Sequence, residues 1–179
     1  MNMRKVKGFT LVELLITIVV ATILLATGVP SFMEFIKNNR LTTQANDLVI
    51  AIQVARSEAV KRGTGSVICA STDQATCAGS DDWATGWVAF SDVGQDGSFD
   101  VGGGNCQVDD CIVRTRGSIE KASLDGAGTN TIRFLPDGRT TNAAAATITL
   151  TASDCKHQQV RNITVTRLGQ TIVTTQNCP

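Results

Sequence analysis

"GFTLVELLITIVVATILLATGVPSF", residues 8–32, is apolar enough to cross a membrane, yet it carries a carboxylate. Glu13 is the only charge between Phe9 and Met33. At ~1.5 Å of rise per residue, a helix over this stretch reaches the ~30 Å of a bilayer core. Arg4, Lys5 and Lys7 stand just before it and orient the N-terminus to the cytoplasm. Gly28 and Pro30 interrupt the run late, where a kink is expected. A carboxylate at the centre of a membrane helix costs ~2.5–3.5 kcal/mol, so Glu13 is a functional candidate. The competing reading is that Glu13, nine residues past Arg4, snorkels to the interface.

A secretory signal peptide would end its apolar region at a small-residue cleavage site and a break in structure. Here the helical pattern runs on. Leu41, Ala45, Leu48, Ile52, Ala55 and Ala59 recur at alternating steps of four and three. Asn39, Arg40, Thr43, Asn46, Asp47 and Glu58 take much of the other face. Lys61, Arg62 and Gly63 supply positive charge in the last turn and a residue suited to the C-cap. One helix from Phe9 to about Arg62 is predicted, first facing lipid, then packed on the rest of the chain.

That remainder reads as β-structure. Strand candidates are 66–71, 86–92, 111–117, 131–141, 147–152, 161–167 and 170–175, with alternation at Ile148/Leu150 and Ile163/Val165. "LPDGR" marks a turn at Pro136 and Gly138. Parallel crossovers have no room, so antiparallel hairpins against the helix give an α+β fold. Residues 91–107, rich in Gly and Asp, are expected to form a loop.

The chain has 179 residues with 16 bases and 16 acids, unevenly spread. Cys69 to Cys111 holds eight acids and no Lys or Arg, whereas residues 112–179 hold eight bases and four acids. Two solvated faces, or a basic strip meeting an anionic partner, account for this. All six cysteines follow the apolar run, an even count that favours disulfides in an exported domain. No pair has C-x2-C spacing and His157 is the single histidine, so zinc is disfavoured and no metal or other cofactor is expected. Fifteen connectivities are open; local closure suggests Cys69–Cys77, Cys106–Cys111 and Cys155–Cys178.

The motif "KGFTLVELL" resembles the class III signal of type IV prepilins and pseudopilins. The resemblance implies that a prepilin peptidase cuts after Gly8, that the new terminus Phe9 is N-methylated, and that Glu13 pairs with a terminal amine in a growing filament. A buried charge is tolerable there only when paired. Pro30, "ARSEAVKRG" (55–63), "GWVAFSD" (86–92), "IRFLPDGR" (132–139) and "RNITVTRLGQ" (161–170) are similar to the H-type minor pseudopilins and the FimT/FimU-type minor pilins. The implied fold is the type IV pilin fold. The implied segments are a leader at 1–8, a transmembrane and filament-core helix at 9–33, an amphipathic helix at 34–63 and a disulfide-linked β-rich domain at 64–179. The implied partners are prepilin peptidase, the inner membrane, and major and minor pilins. The implied location is the bacterial inner membrane before assembly and the pilus, periplasm or cell surface afterwards. Pro30 joins Glu13 as an assembly residue.

Catalysis has little support: there is no nucleophile elbow, P-loop or HExxH, and His157 reads as a surface-loop residue. "DVGQDGSFD" (92–100) partly resembles a calcium loop, but Gly94 and Gly103 stand where acids are wanted, and a solvated acidic loop is preferred. "NIT" (162–164) lies in a predicted strand, and Trp83 and Trp87 read as core. The FimT-type members of the resembled group bind DNA in natural transformation through a G-R-x-R motif. The corresponding Gly169-Gln170-Thr171-Ile172 lacks both arginines. Arg139, Lys156, Arg161 and Arg167 form a basic strip for DNA only if their strands and loops adjoin. Loss of residues 1–8 leaves 13 bases against 16 acids, so bulk attraction to DNA is not the whole chain's character. The reading is a non-enzymatic minor pilin in pilus assembly near the tip. The alternatives are a minor pseudopilin of type II secretion and a DNA-binding minor pilin for DNA uptake.

Overall fold

The computed structural model describes residues 8–100, 105–106 and 108–179. The bases Arg4, Lys5 and Lys7, the leader residues 1–7 and Gly103 lie outside the described residues.

One helix, α1, runs over Leu11–Arg62, unbroken through Pro30. Thr10 starts it: its Oγ1 accepts the Glu13 backbone N–H at 3.2 Å. With Glu13 three residues on, this is the Ser/Thr-x-x-Glu pattern of a capping box, a signal the sequence reading passed over. Lys61 and Arg62 close the last turn, and Gly63 follows at φ +67° with its N–H on the Ala59 carbonyl. That left-handed cap suits a residue without Cβ.

Two units divide the chain, residues 1–39 and 40–179. In the first, the described residues make only the helix, and its apolar side chains are exposed from Phe9 to Ile36. In the second, Leu41, Gln44, Ala45, Leu48, Ala51, Ile52, Ala55 and Ala59 of α1 are buried. Small residues let a sheet approach closely, and the Ser66 hydroxyl reaches the Ala55 carbonyl at 2.6 Å.

Among the described residues eight strands follow: β1 Gly65–Ala70, β2 Trp87–Asp92, β3 Ile112–Arg116, β4 Ala122–Asp125, β5 Thr131–Phe134, β6 Ala146–Ala152, β7 Val160–Val165 and β8 Thr171–Gln176. They form two antiparallel sheets, ordered β3-β2-β1-β5 and β4-β6-β7-β8. β1 is buried throughout because both faces of its sheet are covered. Ile68 opposite Ala89 and Ala70 opposite Trp87 face the core that holds α1. Val67 opposite Phe90 and Cys69 opposite Val88 face a second cluster, capped by Phe99. β6 is covered on one face only and alternates, with Ala146, Ile148, Leu150 and Ala152 buried.

β4 falls where the sequence predicts no strand. It has four residues and only Leu124 buried, too short and polar to show a period. The 131–141 candidate stops as a strand at Phe134, because the Leu135–Arg139 turn reverses the chain.

Trp83 and Trp87 are both buried, and the Trp83 indole donates to the Thr129 carbonyl at 2.7 Å. Gly126 sits under that contact. A Cβ there would lie 2.1 Å from the Thr129 oxygen and 2.7 Å from the indole nitrogen. Neither can yield without breaking the bond between them. Gly126→Ala should therefore destabilise the domain by ~1–3 kcal/mol, read as a lower Tm. An unchanged Tm would mean that the 126–129 turn shifts freely.

Candidate functional site

Nothing in the described residues assembles a cluster of metal-ligating side chains. The chemistry-bearing feature is the exposed apolar length of α1. Leu11, Leu14, Leu15, Ile18, Val19, Ile23, Leu24 and Leu25 all point outward. Its threonines are matched to an apolar setting. Thr17, Thr22 and Thr27 each turn their hydroxyls back onto α1 carbonyls, on Leu14, Val19, and Ile23 and Leu24. Each thereby satisfies its donor without water. Phe32 and Phe35 stack near the end of the run, with ring centroids 6.5 Å apart.

Glu13 is exposed in the first turn of α1. Gly8 is exposed too, and a Cβ there meets nothing within 4 Å. The fold of the described chain therefore does not require glycine at this position. Phe9 is 83 % exposed, so no contact within the chain holds it.

Disulfides join Cys69 to Cys77, Cys106 to Cys111 and Cys155 to Cys178. The first closes a loop organised by Asp73. Its carboxylate accepts the N–H groups of Ala75 and Thr76 and the hydroxyls of Ser71 and Thr76. These donors, the Thr76 and Ala75 amides foremost, hold the Asp73 carboxyl well below the usual carboxylate range. The sign follows from linkage: a depressed carboxyl stabilises above its unfolded value and loses that contribution as pH falls. Asp73→Asn should make unfolding less acid-sensitive between about pH 5 and pH 2. Parallel Tm–pH curves for both proteins would remove Asp73 from the account.

Asp96 and Asp100 of the 92–100 segment are exposed, as in a solvated acidic loop. Asp92 and Asp110 are buried and act as its anchors. Asp92 accepts the N–H groups of Asp96 and Gly97 and an Arg133 Nη at 3.2 Å. Asp110 accepts those of Val93 and Asp100. Burial pushes the Asp92 carboxyl up, and Arg133 pulls against it. These oxygens are turned toward N–H groups and a guanidinium, the opposite of a cation cage. Periodicity could not find these anchors, because nothing in a Gly/Asp-rich stretch marks which acid turns inward.

The four candidate DNA contacts do not adjoin. The Arg167 carbonyl accepts the Thr140 N–H, which places Arg139 and Arg167 at one end of the second sheet. Arg139 is paired with Asp137 at 2.6 Å. Lys156 and Arg161 lie at the other end, where Arg161 pairs with Thr175 while Val165 pairs with Thr171. β7 ends at Val165, four steps and about 13 Å beyond Arg161 at ~3.3 Å each, and Arg167 lies in the turn that follows. Gly169 takes a left-handed turn at φ +74°, and Arg56 grips that turn and its neighbour through the Leu168 and Gly138 carbonyls. His157 is exposed, and its carbonyl accepts the Cys178 N–H. Asn162 lies within β7.

Residues 44–169 match the family described as type II transport protein GspH, and residues 3–29 match the prokaryotic N-terminal methylation motif. No curated protein matches the chain. Among solved structures, the Pseudomonas aeruginosa type IV minor pilin FimU is similar at a TM-score of 0.57 and 19 % identity, covering 79 % of this chain and 92 % of that one. A second crystal form of FimU gives 0.52 and 18 %, covering 75 % and 91 %. The minor pseudopilin EpsH of the Vibrio cholerae type 2 secretion system gives 0.49 and 12 %, covering 76 % and 97 %. At these identities the likeness to FimU is one of fold.

Proposed function

The chain belongs to the GspH family, minor pilins and pseudopilins of type IV pili and type II secretion, and from that premise we propose that it is a minor pilin acting in pilus assembly near the filament tip. It is a structural subunit and not an enzyme. In this reading it is made as an inner-membrane precursor spanning the bilayer with residues 9–33. It is cut after Gly8, methylated at Phe9, and drawn into a filament with other pilins. The observation that supports this most directly is the exposed apolar length of α1, with its hydroxyls turned inward and one carboxylate near its start. No water-soluble monomer leaves such a face bare. A bilayer and then a bundle of like helices are two solvents that suit it.

Intact-mass analysis of filament-associated protein tests the processing. The expected chain begins at Phe9 with a methylated amine. A chain retaining Met1 would overturn it. A bulky residue at Gly8 should leave the full-length precursor in the membrane, and a Cβ there meets nothing within 4 Å among the described residues, so no clash with the fold is expected.

The two machines are separated by deletion, with loss of pili expected and loss of secreted enzymes the pseudopilin outcome. DNA uptake is the weaker reading, because the four bases stand in two pairs. Salt-dependent retardation of DNA by the protein, lost in Arg161→Ala, would revive it.

A further inference from the structure

The two sheets have four outer strands, and three of them carry devices that discourage further pairing. β3 has Arg114 and Arg116 and a register shift against β2. β4 has four residues, and Asp82 bridges its end at Asp125. β5 also has four, carries Arg133, and is bridged at Phe134 by Thr140. Charge, brevity, irregularity and cover keep a sheet edge from adding a strand. β8 has none of them. It is the longest of the four, uncharged, without proline, and in unbroken register with β7. Among the described residues no strand pairs with its outer side. The turn before it fixes which groups lie there. The Thr166 N–H donates to the Gln170 carbonyl, and antiparallel pairs alternate between bonded and non-bonded. Ile172, Thr174 and Gln176 therefore bond to β7, and the N–H and C=O groups of Thr171, Val173 and Thr175 point away from it.

The side chains around this edge describe what would lie on it. Thr171 and Val173 stand opposite Val165 and Ile163, on the core side of the sheet, yet Val173 is 42 % exposed. α1 borders that side. Gln53 Nε2 donates to Thr171 Oγ1 at 3.0 Å, and an Arg56 Nη donates to the Leu168 carbonyl at 3.1 Å. Ile50, one turn before Gln53, is exposed, as are Val60, Leu168 and Ile172. Among the described residues of 40–179, the only other exposed large apolar side chains are Val108 and Ile112, so the apolar surface of this unit gathers here. Charge frames it. Between Cys155 and Pro179 stand Lys156, Arg161 and Arg167 and no Asp or Glu. Lys156 and Arg167 are exposed, at opposite ends of the β7–β8 hairpin.

A second copy of the chain does not suit this edge. Gln53 meets Thr171 and Arg56 meets Leu168, so α1 advances as β8 retreats. Pairing β8 with its antiparallel copy would point the α1 segments of the two folded units in opposite directions, whereas two chains in one membrane or one filament run the same way. A parallel ladder about a two-fold axis would need the neighbours of Val173, Ile172 and Thr174, whose groups already face β7. We propose that β8 receives an added strand from a different polypeptide: an extended, uncharged run rich in β-branched residues, with acidic side chains at its ends. Its main chain bonds to Thr171, Val173 and Thr175. Its apolar side chains cover Ile50 and Val173 on one face and Ile172 on the other, and its acids meet Arg167 and Lys156. Exclusion of the second copy rests on the filament reading above; strand addition itself does not.

The test titrates the full-length chain, in a neutral detergent, with the end-blocked synthetic peptide Glu-Val-Thr-Val-Thr-Val-Glu and follows amide exchange by NMR. Filament formation is not read, so a failed site and a failed pilin reading are distinct results. The amides of Thr171, Val173 and Thr175 should exchange fast in the chain alone and about tenfold or more slower at saturating peptide. Those of Ile172 and Thr174, bonded to β7, report that the hairpin stays folded. The same peptide with Lys at both ends should bind several-fold more weakly, and a peptide N-methylated at its alternate amides should give no protection. Val173→Pro removes only an outward N–H and should weaken binding by about tenfold or more. Thr175→Lys, which puts a charge on the edge, should act in the same direction without touching the backbone. Unchanged exchange at the three amides, binding undiminished in both variants, or equal binding of the Lys-ended peptide would overturn the proposal. So would peptide-induced shifts confined to Ile50 and Val60, which would make this a helix-docking face. Sedimentation of the chain alone is the last check: a dimer lost in Val173→Pro would assign the edge to a second copy and overturn the proposal too.

Discussion

Glu13→Val should enter the membrane at least as well as the natural chain and be lost from filaments. Entry improves because a carboxylate in lipid costs ~2.5–3.5 kcal/mol and valine removes that cost. Assembly fails because the amine of a neighbour's terminus, drawn into an apolar bundle, then has no counter-charge. Removing one partner of a buried pair costs ~3–5 kcal/mol. That corresponds to a fall in incorporation of about two orders of magnitude or more. The structure adds a competing role, since Glu13 is also the third helical residue after Thr10. Glu13→Gln separates the two. Glutamine serves a capping box as glutamate does, but it carries no charge. If pairing is the role, Glu13→Gln fails as valine does. If it is found in filaments at natural levels, Glu13 is a cap and the pairing reading is wrong. Quantifying the subunit in sheared filaments against the membrane fraction decides it.

The parts of the fold that were legible in the sequence are those where one burial environment persists over many residues. α1 keeps a single buried stripe from Leu41 to Ala59, so its period shows, and β6 keeps one covered face, so it alternates. β4 has too few residues to repeat anything, and Asp92 is pulled inward by a loop that approaches it only after folding. Gln44 has the same cause: the Glu120 carbonyl it serves lies 76 residues away in sequence. The candidate site divides likewise. Gly8, Phe9 and Glu13 sit in one short run and were legible as a motif. The anchoring of the 92–100 loop by Asp110 depends on two segments meeting and could not be read in advance.

The second large effect is expected at the C-terminus. Three bridges close loops of different size, spanning 8, 5 and 23 residues. In the chain-entropy model these correspond to about 2.5, 2.1 and 3.4 kcal/mol at 25 °C. Cys155–Cys178 therefore contributes most, before any difference in native strain. Its setting strengthens the case. β8 is an edge strand hydrogen-bonded only to β7 in its sheet, and most of its residues are exposed. Little apolar burial holds it, and a terminal strand without a clasp frays. The bridge and the Cys178 N–H on the His157 carbonyl fix its far end, while the turn at Gly169 fixes the near one. Replacing both Cys155 and Cys178 by serine should lower stability by about 3 kcal/mol. The loss should concentrate in β8, with faster amide exchange at residues 171–176 and early proteolysis beyond Arg167. The same replacement of Cys106 and Cys111 should cost less and leave β8 protected. Equal Tm losses in the two variants, or unchanged exchange in β8, would show that strand pairing alone holds the terminus.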